Sequence, residues 1–163
     1  SFSGDWKGID LSFLFQAGLG RDVALTGVYS GGIMDNTQMT KPFYHGGNSP
    51  KYLVENSWRE DNTNAEFPRL SIVQASSNNA YSSTFWYRSG DYLRLKNLQI
   101  GYTFPQKWMS RIGIDRLRIY FEGQNLWTVS ELTKFNIDPE QPGVSNGYYP
   151  QQRIFSFGVN LAF

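Results

Sequence analysis

Four segments of the chain alternate apolar and polar residues with a period of two. This spacing places every second side chain on the same face of a β-strand. The alternation predicts strands near residues 9–19, 91–104, 116–128 and 153–163. In the last segment the apolar positions are Phe155, Phe157, Val159, Leu161 and Phe163. The fold class that follows is all-β, with antiparallel strands.

The second segment changes parity along its length. Leu93 and Leu95 are out of phase with the apolar positions that begin at Leu98. One extra residue in a strand restores a common apolar face, so we expect a β-bulge near Asn97.

Strand length and aromatic content both favour a membrane-crossing β-barrel. Residues 117–128 at ~3.3 Å each and a ~40° tilt reach roughly 30 Å in height, which is the thickness of a hydrocarbon core. Aromatic residues make up 17% of the chain, while its mean hydropathy is only -0.45. Barrels combine these values because one strand face is polar and aromatic girdles line both interfaces. A soluble β-sandwich can show similar averages, so composition alone does not decide.

The connections between the predicted strands alternate between long and short. Residues 20–88 and 130–151 form long segments rich in Gly, Asn, Ser and Pro, whereas residues 106–115 are a short connection. Barrels have short periplasmic turns and longer extracellular loops, so the two long segments are predicted to be extracellular. In the short connection, a helix is expected from Pro105 until Gly113.

The start of the chain is predicted to hold a periplasmic turn at residues 4–8, with Ser1 to Ser3 as the stub of a preceding strand. So few strands cannot close a barrel, and open edges are not tolerated in lipid. We therefore expect this chain to be a C-terminal part of a larger barrel. The remaining strands and any export signal are expected upstream of Ser1.

Charge and residue chemistry exclude several classes of function. The formal net charge is +1 with no basic stripe, which gives no reason to expect nucleic acid as a partner, and the chain has no Cys. His45 is the only histidine, so a surface loop is favoured over a metal site. The carboxylates of Glu131, Asp138 and Glu140 favour solvated loop positions over a calcium site or an acid/base pair. We expect no cofactor and no enzymatic activity.

Glycines in the predicted strands and aromatics in the predicted loops are the remaining candidates. The glycines form no phosphate-binding motif, and those in strands are expected to relieve crowding or mark bulges; they are Gly101, Gly113, Gly123 and Gly158. Loop aromatics either stack on a substrate or partner, or pack the loops together and form the outer girdle. These candidate contact residues are Trp58, Tyr81, Trp86, Tyr148 and Tyr149.

Five ordered motifs resemble those of the SusC/RagA family of TonB-dependent importers of the Bacteroidetes outer membrane. YLRLKNLQIGYTFP at residues 92–105 resembles the family's YLRLKN-x-x-LGY-x-P signature. The others are KGIDLSFLFQ (7–16), WREDN with FPRL (58–70), LRIYFEGQNL (117–126) and QRIFSFGVNLAF (152–163). The WREDN element lacks the family's proline, and FNIDPE (135–140) carries an insertion, so loop contacts are expected to differ from those of other members.

The resemblance implies a barrel of about 22 strands in the Gram-negative outer membrane, with a plug and a TonB box that this chain lacks. It implies TonB-dependent import of an oligosaccharide or oligopeptide together with a SusD-like lipoprotein that covers the extracellular mouth. It also implies that the last strand, with Phe163 as its most sensitive residue, is an assembly signal for the barrel-insertion machinery. The alternative is a soluble or surface β-sheet binding module, lectin-like and without transport.

Overall fold

The computed structural model describes residues 1–25, 50–70, 83–142 and 151–163. Five strands form one sheet in the order β1-β2-β5-β6-β7. These strands are β1 (Phe2–Trp6), β2 (Ile9–Gly18), β5 (Tyr92–Thr103), β6 (Arg116–Ser130) and β7 (Ile154–Ala162). Strands therefore form at all four segments with period-two alternation. Within the described ranges, no helix is both long enough and apolar enough to cross a bilayer.

The start of the chain differs from its prediction. Phe2–Trp6 is a full strand, antiparallel to β2, with Trp6 opposite Ile9. The turn is confined to Lys7 and Gly8, which both have positive φ, of 49° and 89°. Two consecutive residues with positive φ form the tight hairpin turns that match strand twist. The prediction of a turn beginning at Gly4 was therefore wrong, because the Lys-Gly pair alone suffices to reverse the chain.

The pairing of β2 with β5 contains the predicted bulge. Leu14 is opposite Asn97 but Phe15 is opposite Leu95, so Lys96 is the extra residue. Leu93 and Leu95 thereby share a sheet face with Leu98. The bulge thus keeps one face apolar along both strands.

Strands β6 and β7 pair without a register shift. Ile119 is opposite Val159 and Phe121 is opposite Phe157, which places these apolar side chains on one face. On the other face Arg118 is opposite Asn160 and Glu122 is opposite Ser156. The sheet therefore has an apolar face and a polar face.

The short connection between β5 and β6 is helical, as predicted. Helix α2 (Gln106–Met109) follows Pro105 and continues into a 3₁₀ turn, Ser110–Ile112. Gly113 ends it with φ 75°, the left-handed conformation that a glycine adopts without strain.

The chain divides into two compact units. The five-stranded sheet forms one of them. The other, the loop unit, consists of Leu19–Asp91 and Ser130–Tyr149. Its described elements are the two-stranded antiparallel sheet of β3 (Asp22–Ala24) and β4 (Tyr87–Ser89), helix α1 (Lys51–Glu55), and the 3₁₀ turns Thr84–Trp86 and Glu131–Phe135.

Candidate functional site

The polar face of the sheet carries an ion pair that reaches across an intervening strand. Arg118 on β6 donates from Nε to Asp10 Oδ1 on β2 at 2.9 Å, and from Nη2 to Oδ2 at 2.5 Å. Strand β5 lies between them, with Gly101 opposite Asp10. A Cβ at Gly101 would lie 2.5 Å from Asp10 Oδ1 and 2.6 Å from Arg118 Nη2. Glycine at this position therefore makes the bidentate ion pair between Arg118 and Asp10 possible.

Tyrosine rings cover glycines elsewhere on the same face. Tyr120 lies over Gly158 on β7, where an added Cβ would meet its ring, and the Arg118 guanidinium is 4.8 Å from the ring centroid. Near the other end of the sheet, Tyr92 lies over Gly18 and its hydroxyl accepts from Gln16 Nε2 at 3.0 Å. Rings that pack on cross-strand glycines are expected to restore the packing that a missing side chain loses.

Sequence reasoning identified the parts of this arrangement but not their contacts. The period-two alternation places Asp10 and Arg118 on the polar sides of their strands, and Gly101 was expected to relieve crowding. The ion pair was missed, because its partners lie on non-neighbouring strands and only the register brings them together. The signal available in the sequence was a glycine, Gly101, on a strand between two strands that carry oppositely charged residues, Asp10 and Arg118.

The opposite face of the sheet exposes large apolar side chains. Ile119 is 44% exposed, and Phe157 reaches 83%. A soluble sandwich buries its apolar face in a core, whereas a barrel wall turns it towards lipid. The exposed face therefore favours a membrane wall over the lectin-like alternative.

The loop unit has a hydrophobic core drawn from both long connections. Leu53, Phe67 and Trp86 come from the first connection, while Leu132 and Phe135 come from the second. Each of these side chains is at most 2% exposed. The rings of Phe67 and Trp86 stack at 6.4 Å between centroids. The two connections therefore fold together as one packed unit.

A charged network beside this core also joins the two connections. Glu66 Oε2 accepts from the Tyr52 hydroxyl at 2.7 Å, and Oε1 accepts from Lys134 Nζ at 3.2 Å and Arg88 Nη2 at 3.4 Å. Lys134 also lies 3.6 Å from Glu131 Oε1. Burial alone would raise the pKa of Glu66, but the bonds from Tyr52 and Lys134 outweigh it and lower that pKa.

The lowered pKa of Glu66 predicts a stability of the loop unit that depends on pH. The ionised carboxylate is favoured in the folded unit, so its contribution is complete above the ordinary pKa and is lost as pH falls through the folded value. Glu66→Gln should destabilise the loop unit by about 1–2 kcal/mol, between values for an exposed pair and for a bond to a buried charge. Amide exchange of residues 52–67 in the full-length protein, corrected for intrinsic rates, measures this.

The matched control is Glu55→Gln, which removes an exposed ion pair with Lys51 at 3.5 Å. Helical pairs of this kind contribute only about 0.3–0.5 kcal/mol, so the control should change exchange little. Glu66→Gln should also flatten the acidic side of the pH profile. Equal effects of the two substitutions at neutral pH would contradict the network's role.

The predicted loop aromatics have different environments. Trp86 is 2% exposed within the core, so the packing alternative describes it and its ring cannot offer a face to a ligand. Trp58 is 36% exposed, and its backbone N–H donates to the Phe67 carbonyl at 2.9 Å. Trp58 therefore remains a candidate contact residue. Tyr81, Tyr148 and Tyr149 lie outside the described residues, as does His45.

The apolar positions of the last strand share one exposed face. Their exposed fractions are 61% for Phe155, 83% for Phe157, 63% for Val159, 47% for Leu161 and 83% for Phe163.

In the part of the chain that the structure describes, no cluster of three or more His, Cys, Asp or Glu could hold a metal ion. The polar face of the sheet carries hydrogen bonds and the Arg118–Asp10 ion pair.

Comparison with known proteins finds relatives that are named TonB-dependent receptors. No protein-family model matches the chain. TonB-dependent receptor P3 of Formosa agariphila is 29% identical over 97% of this chain, which spans 15% of that receptor. TonB-dependent receptor SusC of Bacteroides thetaiotaomicron is 30% identical over 63% of this chain and 10% of its own length.

Solved structures agree with these relatives. The structure of the RagAB peptide transporter matches 98% of this chain and 16% of its own chain, with a TM-score of 0.62 and 26% identity. The same importer in its closed-closed state matches with a TM-score of 0.60 and 26% identity, over 97% of this chain and 16% of that chain. The resemblance seen in the motifs and the expected barrel fold are confirmed. The chain therefore has the fold of a segment of a TonB-dependent receptor β-barrel, and along nearly its whole length it is similar to such receptors and to the RagAB peptide transporter.

Proposed function

We propose that the receptor containing this segment imports an oligosaccharide or oligopeptide across the outer membrane, with energy delivered through TonB. The observation that carries the proposal is similarity along 97% of the chain to a TonB-dependent receptor. The two-faced sheet supports it, because an apolar outer face and a paired polar inner face suit a wall around an aqueous or plugged lumen. The segment supplies wall and loops. The TonB contact and the plug belong to the rest of the receptor.

Uptake by intact cells tests this function. Cells with the full receptor gene should accumulate either fluorescent oligosaccharides or fluorescent oligopeptides, and cells without the gene should not. A protonophore should abolish the accumulation, because the energy comes from the inner-membrane proton gradient. Uptake of a monosaccharide small enough to pass through porins should be unchanged by deletion of the receptor gene, which controls for general permeability. Receptor-dependent uptake that survives the protonophore would contradict TonB-driven import.

A SusD-like lipoprotein is the proposed partner of the loop unit. Similarity to a chain of the RagAB complex and to SusC supports this pairing. The packed core and the Glu66 network favour a preformed surface, which lowers the entropic cost of binding a partner.

Cysteine labelling tests the side of the membrane and the partner together. Asp61, whose side chain is 78% exposed, should react as Asp61→Cys with an impermeant maleimide on intact cells that lack the lipoprotein. Coexpression of the lipoprotein should slow that reaction if this surface is covered. Ser110→Cys, in the short periplasmic connection, should react only after the outer membrane is disrupted. The reverse pattern would show that the topology is inverted.

A further inference from the structure

The apolar face of the sheet contains a groove of about 700 Å³. Its floor is formed by short, branched side chains on four strands, those of Ile9, Ile100, Ile119 and Val159. Aromatic rings of Tyr102, Phe121 and Phe157 line it as well. All of these side chains alternate onto the outward face, so the groove opens towards lipid.

The aromatic sides of the groove are held by ring contacts. On one side the Phe121 ring lies 5.2 Å from Phe157 and 6.3 Å from Phe155, between centroids. On the other, Tyr102 packs edge-on against Phe104 at 5.0 Å. Rings supported by other rings keep their orientation, so the groove is preformed and an apolar chain that enters it loses little to reorganisation.

Each of three groove-forming strands has an exposed basic residue beyond the end that faces the short turns. Lys7 precedes β2, Lys107 follows β5 and Arg111 precedes β6. Asp5 and Asp115 lie at the same edge, so cations outnumber anions there. Trp108 and Ile112 are 56% and 66% exposed beside these cations, as expected at a membrane interface. This edge is therefore complementary to a phosphate at the periplasmic surface.

We propose that the groove is a binding site for a glycerophospholipid of the periplasmic leaflet. One acyl chain lies on Ile119 and Val159 between the aromatic sides, and the phosphate is bound by Lys107 and Arg111. Basic residues beside an apolar surface are how proteins select phosphate-bearing lipids from the surrounding bilayer. The site is independent of the transported substrate.

Native mass spectrometry of the delipidated full-length receptor, titrated with dioleoylphosphatidylethanolamine, tests the site. Ile119→Trp fills the groove and should weaken binding of the tightest lipid about tenfold, the equivalent of roughly two lost methylene contacts. Leu93→Trp enlarges an outward residue of β5 that does not line the groove, and it should bind like the wild type. The double variant K107Q/R111Q, in the exposed connection, should also bind more weakly.

Dioleoylglycerol, which lacks the phosphate, separates the two parts of the site. It should bind more weakly than the phospholipid, and its binding should be unaffected by K107Q/R111Q. Equal phospholipid binding by wild type, Ile119→Trp and Leu93→Trp would overturn the proposal. So would a lower oligomeric mass for Ile119→Trp than for the wild type at unchanged lipid affinity, because the groove would then hold a second copy of the receptor.

Discussion

Replacing Ile119 by arginine is expected to destabilise the inserted barrel by about 1–3 kcal/mol, between the values for the middle and the edge of a membrane wall. Ile119 lies on the apolar face, 44% exposed, opposite Val159. Ile119 is the fourth residue of β6, between the short turn and the middle of the strand, so an arginine there would place a charge in hydrocarbon, where solvation is poor. Reversible urea unfolding of the full-length receptor in lipid vesicles measures the loss.

The matched control places the same charge on the other face. Gln99 on β5 is opposite Ser12 on the polar side, so Gln99→Arg should leave stability within about 1 kcal/mol of the wild type. A small difference between the two arginine variants would show that the faces are assigned wrongly.

Phe163→Ala is expected to reduce the amount of inserted receptor several-fold, with protein accumulating in the periplasm. The proposed reason is that the aromatic pattern of the last strand is recognised by the barrel-insertion machinery. The free energy lost when one phenylalanine ring no longer contacts lipid is only about 2 kcal/mol, which is small for a large barrel. A purely thermodynamic role would therefore leave levels near normal. Immunoblots of purified outer membranes and periplasm measure both pools.

Phe157→Ala is a closely matched control. Phe157 and Phe163 are both 83% exposed and share a face of the strand segment, and Phe157 also contacts Phe121, so a purely thermodynamic role predicts an effect of Phe157→Ala at least as large as that of Phe163→Ala. Recognition predicts a much larger fall for Phe163→Ala. Equal, mild reductions for the two variants would rule out the assembly role.

Period-two alternation was sufficient to predict four of the five strands of the main sheet, because lipid on one side and polar surroundings on the other impose opposite demands on neighbouring residues. It also predicted the bulge, since Leu93 and Leu98 can share a face only if one residue is unpaired. The first turn was placed too early, at Gly4, because a five-residue strand shows little periodicity and glycine reads as a turn residue.

Contacts between distant segments could not be read from the chain. Glu66, Arg88 and Lys134 are far apart in sequence, and no periodicity marks their meeting. Trp86 was weighed both as a ligand contact and as a residue that packs the loops together, because loop aromatics serve in either role. Its burial depends on a core formed by both connections, which local pattern does not reveal.

Spin-label accessibility at adjacent positions of β6 tests most directly the claim that this segment is a lipid-facing wall. Labels replace Ile119 and Tyr120, one at a time, in the full-length receptor reconstituted into vesicles. The label at 119 should collide mainly with oxygen dissolved in lipid, and the label at 120 mainly with a water-soluble nickel complex or with neither reagent. Oxygen-dominated collisions at 120 together with nickel-dominated collisions at 119 would contradict the account.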